Sequence, residues 1–293
     1  MNLALTVGEI VAPVFLLALI GFVWVRLGIE YRLEFVTRLA MSLGVPCLVF
    51  TALMQARIDP AALAALSLAT LAAYGLVTVL IAIVVWTFSL PARTFLAPLI
   101  FGNTGNIGLP LALFAFGPEG LSLAVVVFAV MAILSFTFGI WLVAGGGSPM
   151  AMFREPLVWA TLLGGLFLWQ GWETPTVLTN TLELVGQLAI PLMLITLGVA
   201  VARLRPSGVA RATMLSLIKV SICAAGAAVV GRWFELPPTA FAVLVIQVAT
   251  PVAVTSYLLA VKYGADAEEV AGLVVVSTLL SVVALPLLLG VLI

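Results

Sequence analysis

A polar stretch at residues 103–110 interrupts an otherwise apolar segment of the chain, and it carries two amides, a hydroxyl, two glycines and a proline. Gly weakens a helix by about 1 kcal/mol and Pro by about 3 kcal/mol, and Pro also removes a backbone donor. Lipid tolerates such backbone only where protein covers it or where it lines a water-filled cavity. The stretch therefore predicts a discontinuous helix at a binding site, as in secondary transporters. Its members are Asn103, Thr104, Gly105, Asn106, Gly108 and Pro110.

A second polar interruption lies at residues 247–256. Pro251 frees a backbone carbonyl near Gln247, and the Thr250 hydroxyl can hydrogen-bond the exposed backbone. Taken alone, this pattern is equally consistent with a proline-kinked helix that Ser and Thr side chains stabilise. Together with the first stretch, it favours two broken helices that cross at mid-membrane.

Two helices broken at mid-membrane present free amides, and these helix ends carry roughly half a positive charge each. A carboxylate is the natural ligand of such ends, without any buried arginine. Thr51 and Gln55, one turn apart on the second span, can complete the pocket, with Thr196 as their counterpart in the other half; interhelical hydrogen bonds are the alternative role for these three. We therefore expect substrate to bind at Asn103, Thr104, Gly105, Asn106, Thr250, Pro251, Val252, Thr51 and Gln55.

Coupling to an ion is harder to predict, because neither interruption contains Asp or Glu. Gln247 is the polar candidate beside the second interruption. Lys219 lies near the middle of the eighth apolar span, where a charge costs at least about 2.5–3.5 kcal/mol and is usually functional. Its ammonium could replace a bound cation at the helix carbonyl ends; the alternative is a lysine that snorkels or pairs with Glu183 or Glu9. Coupling to no ion, to protons or to sodium stays open.

The composition is that of a membrane protein. The chain is 64% hydrophobic and 8% charged, against about 25% charged in typical soluble domains. Its net charge of zero gives no footprint for nucleic acid. It has no His, which removes the commonest metal ligand and general base, and it shows no phosphate loop or nucleophile–base pair. We expect no enzyme activity, no metal and no cofactor.

Apolar runs of the roughly 20 residues that a bilayer requires recur ten times. Nine of the twelve basic residues fall in odd-numbered connections, whereas even connections hold only Arg57 and Arg232. The positive-inside rule therefore predicts that both termini lie outside. Arg outnumbers Lys ten to two and Ala is frequent, which indicates a GC-rich bacterial genome, and we expect a multi-pass protein of the inner membrane. The predicted spans are 8–27, 34–55, 61–88, 93–115, 119–143, 155–170, 181–202, 208–231, 239–262 and 267–291.

The two halves of the chain resemble each other. The Leu43–Pro46 stretch matches Leu188–Pro191 at an offset of about 145, and Phe116-Gly117 matches Tyr263-Gly264 at an offset of 147. Five spans per half is an odd number, so the second half enters the membrane inverted; chance similarity between Leu-rich helices is the alternative. We expect one five-helix repeat at 1–144 and its inverted copy at 150–293.

These residues resemble the auxin efflux carrier family in its bacterial branch. The resemblance lies in the Asn-Thr-Gly-Asn-Ile-Gly-Leu-Pro-Leu run at 103–111, in Ala249-Thr250-Pro251, and in the tail at 263–281. Relatives of that family include plant PIN-FORMED carriers and, more distantly, bile acid–sodium symporters and sodium/proton antiporters. The resemblance implies an all-α polytopic fold of ten helices, with helices four and nine crossed. It also implies a scaffold domain of spans one, two, six and seven, beside a transport domain of spans three to five and eight to ten.

We accordingly expect a secondary transporter for a small organic anion, an auxin-like or a malate- or malonate-like carboxylate, which works by elevator-type alternating access. A sodium-coupled symporter or a cation/proton antiporter on the same architecture is the alternative. A membrane receptor or an intramembrane enzyme is a third class, but the chain offers no output domain and no His. A homodimer through the scaffold domain is plausible from the resemblance, and no nucleic acid partner is expected.

Overall fold

The computed structural model describes residues 3–56, 60–145, 156–204 and 208–293, so the predicted cytoplasmic or outer positions of Arg57, Arg154 and Arg205 lie outside the described residues. In the described parts, helices account for nearly all of the chain. Their bounds are α1 Leu3–Arg26, α2 Leu33–Met54, α3 Pro60–Thr87, α4 Ala92–Ile100, α5 Thr104–Ala144, α6 Pro156–Gln170, α7 Thr176–Arg203, α8 Val209–Trp233, α9 Pro238–Val248, α10 Val254–Tyr263 and α11 Ala267–Leu292.

Seven helices within the described ranges are long and apolar enough to cross a membrane, namely α1, α2, α3, α5, α7, α8 and α11. At 1.5 Å per residue, the 41 residues of α5 extend about 60 Å, twice the thickness of a bilayer core. The helix is in fact divided at Gly117, whose φ of 65° and ψ of −158° are not helical. The protein is therefore a multi-pass membrane protein, while the count of ten spans, the inverted repeat and the orientation stay predictions.

Two sets of helices pack mainly among themselves. In one set, α1 lies along the Ala189–Arg203 part of α7, and the Val45–Met54 part of α2 packs on α6 and on Thr176–Gln187. In the other set, α8 contacts α3, α9 and α11, while α5 contacts α3 and α9. Contacts between the two sets are fewer and involve α1 with α5 and α11, and α2 and α7 with α5.

Small residues hold α1 against α7 so closely that their backbones touch. A Cβ atom at Gly198 would clash with the carbonyl of Ala18, and one at Gly21 would clash with the carbonyl of Ile195. Glycines that allow helix backbones to approach are typical of packing in membranes, where burial in lipid gives no hydrophobic driving force between helices. This pair of helices is therefore expected to move as one rigid unit.

Three π-helical turns widen the helices near the centre of the molecule. They span Ala40–Gly44 in α2, Thr104–Gly108 at the start of α5, and Ser135–Gly139 further along α5. Such turns shift the hydrogen-bonding pattern by one residue and often occur at functional sites. The second directly follows the non-helical residues 101–103, and the third packs against them, because Gly139 lies against the ring of Phe101.

Candidate functional site

The first helix break lies at residues 101–103, between α4 and α5, which is earlier than the predicted stretch suggested. Phe101 leaves α4 in an extended conformation, with φ −92° and ψ 124°. Gly108 and Pro110, which we predicted as break residues, lie within helix α5. Pro110 is the seventh residue of α5 and lies just after its π-helical turn Thr104–Gly108, so the missing amide hydrogen falls where the hydrogen-bonding pattern changes from π to α. The polar stretch therefore marks the start of the second half-helix more than the break itself.

The second break lies at residues 249–253, between α9 and α10, and it contains Pro251 as predicted. Ala253 is extended, with φ −73° and ψ 143°, immediately before α10 begins. Val252 donates its backbone N–H to the Ser277 hydroxyl at 3.0 Å. This bond ties the break to α11.

The two breaks touch each other through their backbones. Gly102 and Val252 form an isolated antiparallel β-bridge, and the Asn103 N–H donates to the Pro251 carbonyl at 2.7 Å. A Cβ atom at Gly102 would clash with the hydroxyl of Thr250 and would lie 2.8 Å from its carbonyl oxygen. Only glycine allows this approach, and our sequence interpretation did not single out Gly102.

A cleft runs between the first set of helices and the two breaks. It consists of two adjoining cavities of about 70 Å³ and 50 Å³, which share Met41, Asn106, Met193, Val254 and Thr255. We call them together the crossover cleft. Asn103 and Gly105 line the larger cavity, and Thr196 lines the smaller one. Thr104, Thr250, Pro251 and Val252 are buried in the crossing itself and do not line the cleft.

Both second half-helices begin at this cleft. Gly105 and Asn106 lie in the first turn of α5, and Val254 and Thr255 lie in the first turn of α10. First-turn amides have no acceptor within their own helix, and they give each helix start a partial positive charge. No acidic or basic side chain from the described part of the chain lines the cleft. Its electrostatic character therefore comes from backbone.

Asn103 combines burial with an unused side chain. It occupies the N-cap position of α5, where Asn usually accepts a hydrogen bond from the first turn, but its side chain makes no such bond. The residue is 5% exposed, and its Nδ2 has no hydrogen-bond partner among the described residues. The Thr104 hydroxyl is also buried without a partner there. Leaving a buried donor unpaired costs about 1–3 kcal/mol, so the Asn103 amide, which lines the cleft, indicates a ligand there.

Lys219 of α8 lies at the C-terminal end of α4, the half-helix that precedes the first break. Its ammonium donates to the carbonyl of Leu99, in the last turn of α4, at 3.2 Å, and contacts the Cys223 sulfur at 3.8 Å. The residue is 1% exposed. The predicted alternative pairing with Glu183 or Glu9 is not found, since Glu183 accepts from Gln55 and Glu9 is exposed. The charge therefore faces the negative, carbonyl end of α4.

Comparison with known proteins identifies the relatives of this architecture. The family model described as "membrane transport protein" matches residues 6–152 and 148–289, which together span nearly the whole chain. The chain belongs to this membrane transport protein family. An uncharacterized transporter from Methanothermobacter thermautotrophicus is 28% identical, and the alignment covers 95% of this chain and 96% of that protein. The resemblance to auxin efflux carriers that the sequence motifs indicated is thereby confirmed.

Thr51 and Gln55, which we predicted to complete the pocket, lie outside the crossover cleft of this family member. Thr51 donates its hydroxyl to the carbonyls of Cys47 and Leu48 in its own helix, at 2.9 and 3.2 Å. Gln55 donates to Glu183 of α7 at 2.5 Å. Gln55 thus makes the interhelical hydrogen bond that was the alternative role, whereas the bonds of Thr51 stay within its own helix.

Gln247 of α9 packs against α5 close to the point where the two breaks touch. It is fully buried, its amide nitrogen donates to the Ala124 carbonyl at 3.4 Å, and its amide oxygen has no partner in the described structure. That oxygen lies directly against Gly108, where a Cβ atom would clash with it. Gln247 therefore packs α9 on α5 and does not line the cleft.

Thr196, in contrast, lines the smaller cavity of the cleft. Its hydroxyl hydrogen-bonds the hydroxyl of Tyr31 at 2.8 Å, just before α2 begins. Burial raises the pKa of Tyr31 above its usual value, while the Thr196 bond and the charge of Arg203 partly offset this. The Tyr31 hydroxyl is therefore protonated at physiological pH. The sequence analysis did not identify Tyr31, because no local sequence pattern shows that a residue in this loop reaches Thr196, 165 residues further along the chain.

Proposed function

We propose that this protein is a secondary transporter for a small organic anion, a carboxylate of auxin-like or malate-like type, which binds in the crossover cleft. The observation that carries the proposal is the convergence of two helix starts and the unpartnered Asn103 amide on one cleft. Two half-helix starts, each with about half a positive charge, favour an anion without a charged side chain. The side-chain amides of Asn103 and Asn106 would add directional donors to the carboxylate.

The access route supports a binding site rather than a packing defect. The smaller cavity of the cleft reaches Leu33 and Thr37, at the start of α2. On the predicted orientation this is the cytoplasmic side, where Arg32, Arg38 and Arg203 surround a surface hollow. At the far side of the cleft, α2 meets α5 through the Ser122 hydroxyl, which donates to the Ala52 carbonyl at 3.2 Å. We infer that the described state is open inward and closed outward at this contact.

Transport then follows from movement between the two sets of helices. The α1, α2, α6 and α7 set serves as the scaffold domain, and α3–α5 with α8–α11 serves as the transport domain. The tight glycine contacts between α1 and α7, and the hydrogen-bonded breaks in the other set, support two internally rigid bodies. The sparse contacts between them support sliding of the elevator type. A homodimer would hold the scaffold domains still in the membrane.

The inverted repeat gives this arrangement a simple origin. Gly44 in α2 lies against Ala189 in α7, its counterpart at an offset of 145, with a Cβ–Cα distance of 3.3 Å for a Cβ built at Gly44. Gly117 and Gly264, counterparts at 147, have φ values of 65° and 68° at the ends of the two second half-helices. A contact between counterparts, and a positive φ at both counterpart glycines, are what a pseudo-twofold axis in the membrane plane would produce; the ψ angles of the two glycines differ, at −158° and 34°.

Lys219 supplies the charge that other transporters of broken-helix design obtain from a bound cation. Its ammonium at the carbonyl end of α4 would balance the helix dipole whenever the group is protonated, so that anion binding requires no sodium. The cation-transport alternative would need oxygen ligands other than carboxylates, since no acidic side chain of the described chain lines the cleft.

Binding of carboxylates to the purified protein tests the proposal. We expect selective thermal stabilisation by a subset of mono- and dicarboxylates and indole acids, independent of sodium, and loss of that shift in Asn103→Ala. Asn180→Ala, which removes an exposed amide from α7 far from the cleft, is the matched control. Uptake into proteoliposomes should follow the same pattern. Stabilisation by sodium alone, with no response to any carboxylate, would overturn the proposal.

A further inference from the structure

A second cavity adjoins the crossing and shares no lining residue with the crossover cleft. It has a volume of about 170 Å³ and lies between α8, α11 and residues 249–251 of the second break. Polar residues come from all three elements. They are Ser216 and Lys219 of α8, Thr250 of the break, and Ser277 and Ser281 of α11.

The buried end of this cavity has donors without acceptors. The Lys219 ammonium has three N–H donors, but its partners in the described structure are one carbonyl oxygen, that of Leu99, and one sulfur, a weak acceptor. No carboxylate of the described chain lies within ion-pair distance of it. The carbonyl end of α4 carries about half a negative charge and therefore offsets only part of the charge of the ammonium, so an anionic group could supply the rest.

Ser216 points to the same missing partner. It lies three residues before Lys219, and residues at this spacing share a helix face. The residue is 4% exposed, and its hydroxyl has no hydrogen-bond partner among the described residues. The hydroxyls of Ser277 and Ser281 already donate to carbonyls of α11, at 3.4 and 2.6 Å. The free donors at this end are therefore the ammonium and the Ser216 hydroxyl, a pair that fits the two oxygens of a carboxylate.

The outer end of the cavity is apolar and opens sideways. Leu217, Val283 and Leu287 line it, and their exposed fractions are 51, 61 and 66%. They lie on the outer surfaces of α8 and α11, both of which are apolar enough to span the membrane. Lys219 is the eleventh residue of α8, so it lies about 15 Å along the helix, near the middle of a roughly 30 Å bilayer core. The cavity mouth therefore faces lipid hydrocarbon.

We propose that this cavity binds a monocarboxylic acid with a compact apolar body, which enters sideways from the bilayer. Its carboxyl group would contact Lys219 and Ser216, and its apolar body would fill the space between α8 and α11. The volume is close to that of a cavity of about 150 Å³ that holds one benzene molecule. A dicarboxylate such as malonate does not fit, because its second charge would face lipid. The inference shares Lys219 with the proposed function but does not depend on transport through the crossover cleft, since the two cavities have no lining residue in common.

Photoaffinity labelling of the protein in nanodiscs tests this inference. The probe is a trifluoromethyl-diazirine derivative of benzoic acid, and the matched probe is the corresponding benzyl alcohol, which has the same apolar body and no carboxyl group. We expect the acid to label α8 and α11 peptides and the alcohol to label them at least about tenfold less, as loss of a charge-assisted hydrogen bond predicts. Excess benzoate should compete, and malonate should not.

Three variants separate this site from others. Lys219→Met removes the ammonium, and Ala284→Phe fills the cavity while Lys219 stays in place; both should lose labelling of α8 and α11. Asn103→Ala should retain it. Melting temperature and size-exclusion profile check that each variant is folded. Equal labelling by the alcohol, or unchanged labelling of Lys219→Met, would overturn the proposal. Labelling confined to cleft residues and lost in Asn103→Ala would also overturn it, while supporting the proposed transport site.

Discussion

Gly102 lies where the two breaks touch, and it offers a direct test of how closely they must approach. In Gly102→Ala the new methyl group would clash with Thr250, and overpacking of this kind typically costs about 1–3 kcal/mol. We expect a lower melting temperature and strongly reduced anion transport. Gly75→Ala in α3 is the control, because nothing lies within 4 Å of its Cβ position. Equal effects of the two substitutions on transport would show that the contact between the breaks is unimportant.

Lys219 allows a second test at the residue scale. If its ammonium replaces a bound cation, Lys219→Gln should change how transport responds to pH while the yield of folded protein stays normal. The measurement is anion uptake into proteoliposomes from acid to neutral pH, with Lys262→Gln as the control, since Lys262 lies in the last turn of α10 outside the crossing. Identical pH profiles for Lys219→Gln and the unmodified protein would assign the lysine a purely structural role.

Residue types predicted the site better than residue positions did. The prolines, glycines and amides of the two stretches identified both breaks, since each residue acts on its own backbone and needs no knowledge of the fold. Asn103 and Asn106 line the cleft, while substrate binding by them stays a prediction. Thr51 and Gln55 do not line it, because whether a side chain reaches a cavity depends on helix rotation, and the π-turn at Ala40–Gly44 changes that rotation in α2. No local pattern in the sequence predicts such a turn.

At the scale of the helices, the two glycines that end the second half-helices should differ in how well they tolerate a side chain. Gly117 has φ 65° and ψ −158°, a region that is essentially restricted to glycine. Gly264 has φ 68° and ψ 34°, the left-handed region that other residues enter at about 1–2 kcal/mol. Neither Cβ position has a neighbour within 4 Å. Any loss of stability on substitution would therefore come from backbone strain alone.

We expect Gly117→Ala to lower the melting temperature more than Gly264→Ala, and both to lower it more than Gly75→Ala does. Thermal unfolding of the three variants in one detergent provides the comparison. The reverse order for Gly117 and Gly264 would mean that the division of α5 at residue 117 is not a fixed feature of the fold.

The lengths of the apolar runs predicted most of the helices, but they could not predict where each helix begins or breaks, or how the helices group into two sets. The predicted span 181–202 begins five residues after α7 does, because Thr176–Leu184 mixes polar and apolar residues. The predicted boundary between spans four and five, at 115–119, falls at Gly117, because Gly-Pro there punctuates the sequence. Packing between helices, which groups them into two sets, depends on glycines that meet partners far away in the chain. Gly198 and Ala18 are an example.

At the scale of the molecule, elevator movement requires the Ser122–Ala52 contact to break. A disulfide between Ala52→Cys and Ser122→Cys, in a background without Cys47 and Cys223, should block transport reversibly, because it joins α2 to α5 across the two bodies. The control pair is Val77→Cys with Gly226→Cys, which joins α3 to α8 within one body; a Cβ at Gly226 lies 3.3 Å from Val77. Undiminished transport by the first cross-linked pair would exclude sliding at this interface.

The absence of charged side chains around the crossover cleft, within the described residues, has a consequence for the evolution of this family. On the proposed function, the preference for anions would come from the backbone amides at the two helix starts. The shape of the cleft comes from replaceable side chains such as Met41 and Met193, and methionine adapts readily to differently shaped neighbours. A lineage of such anion carriers could then exchange one anion for another by a few apolar substitutions, without changing the sign of the charge that it carries.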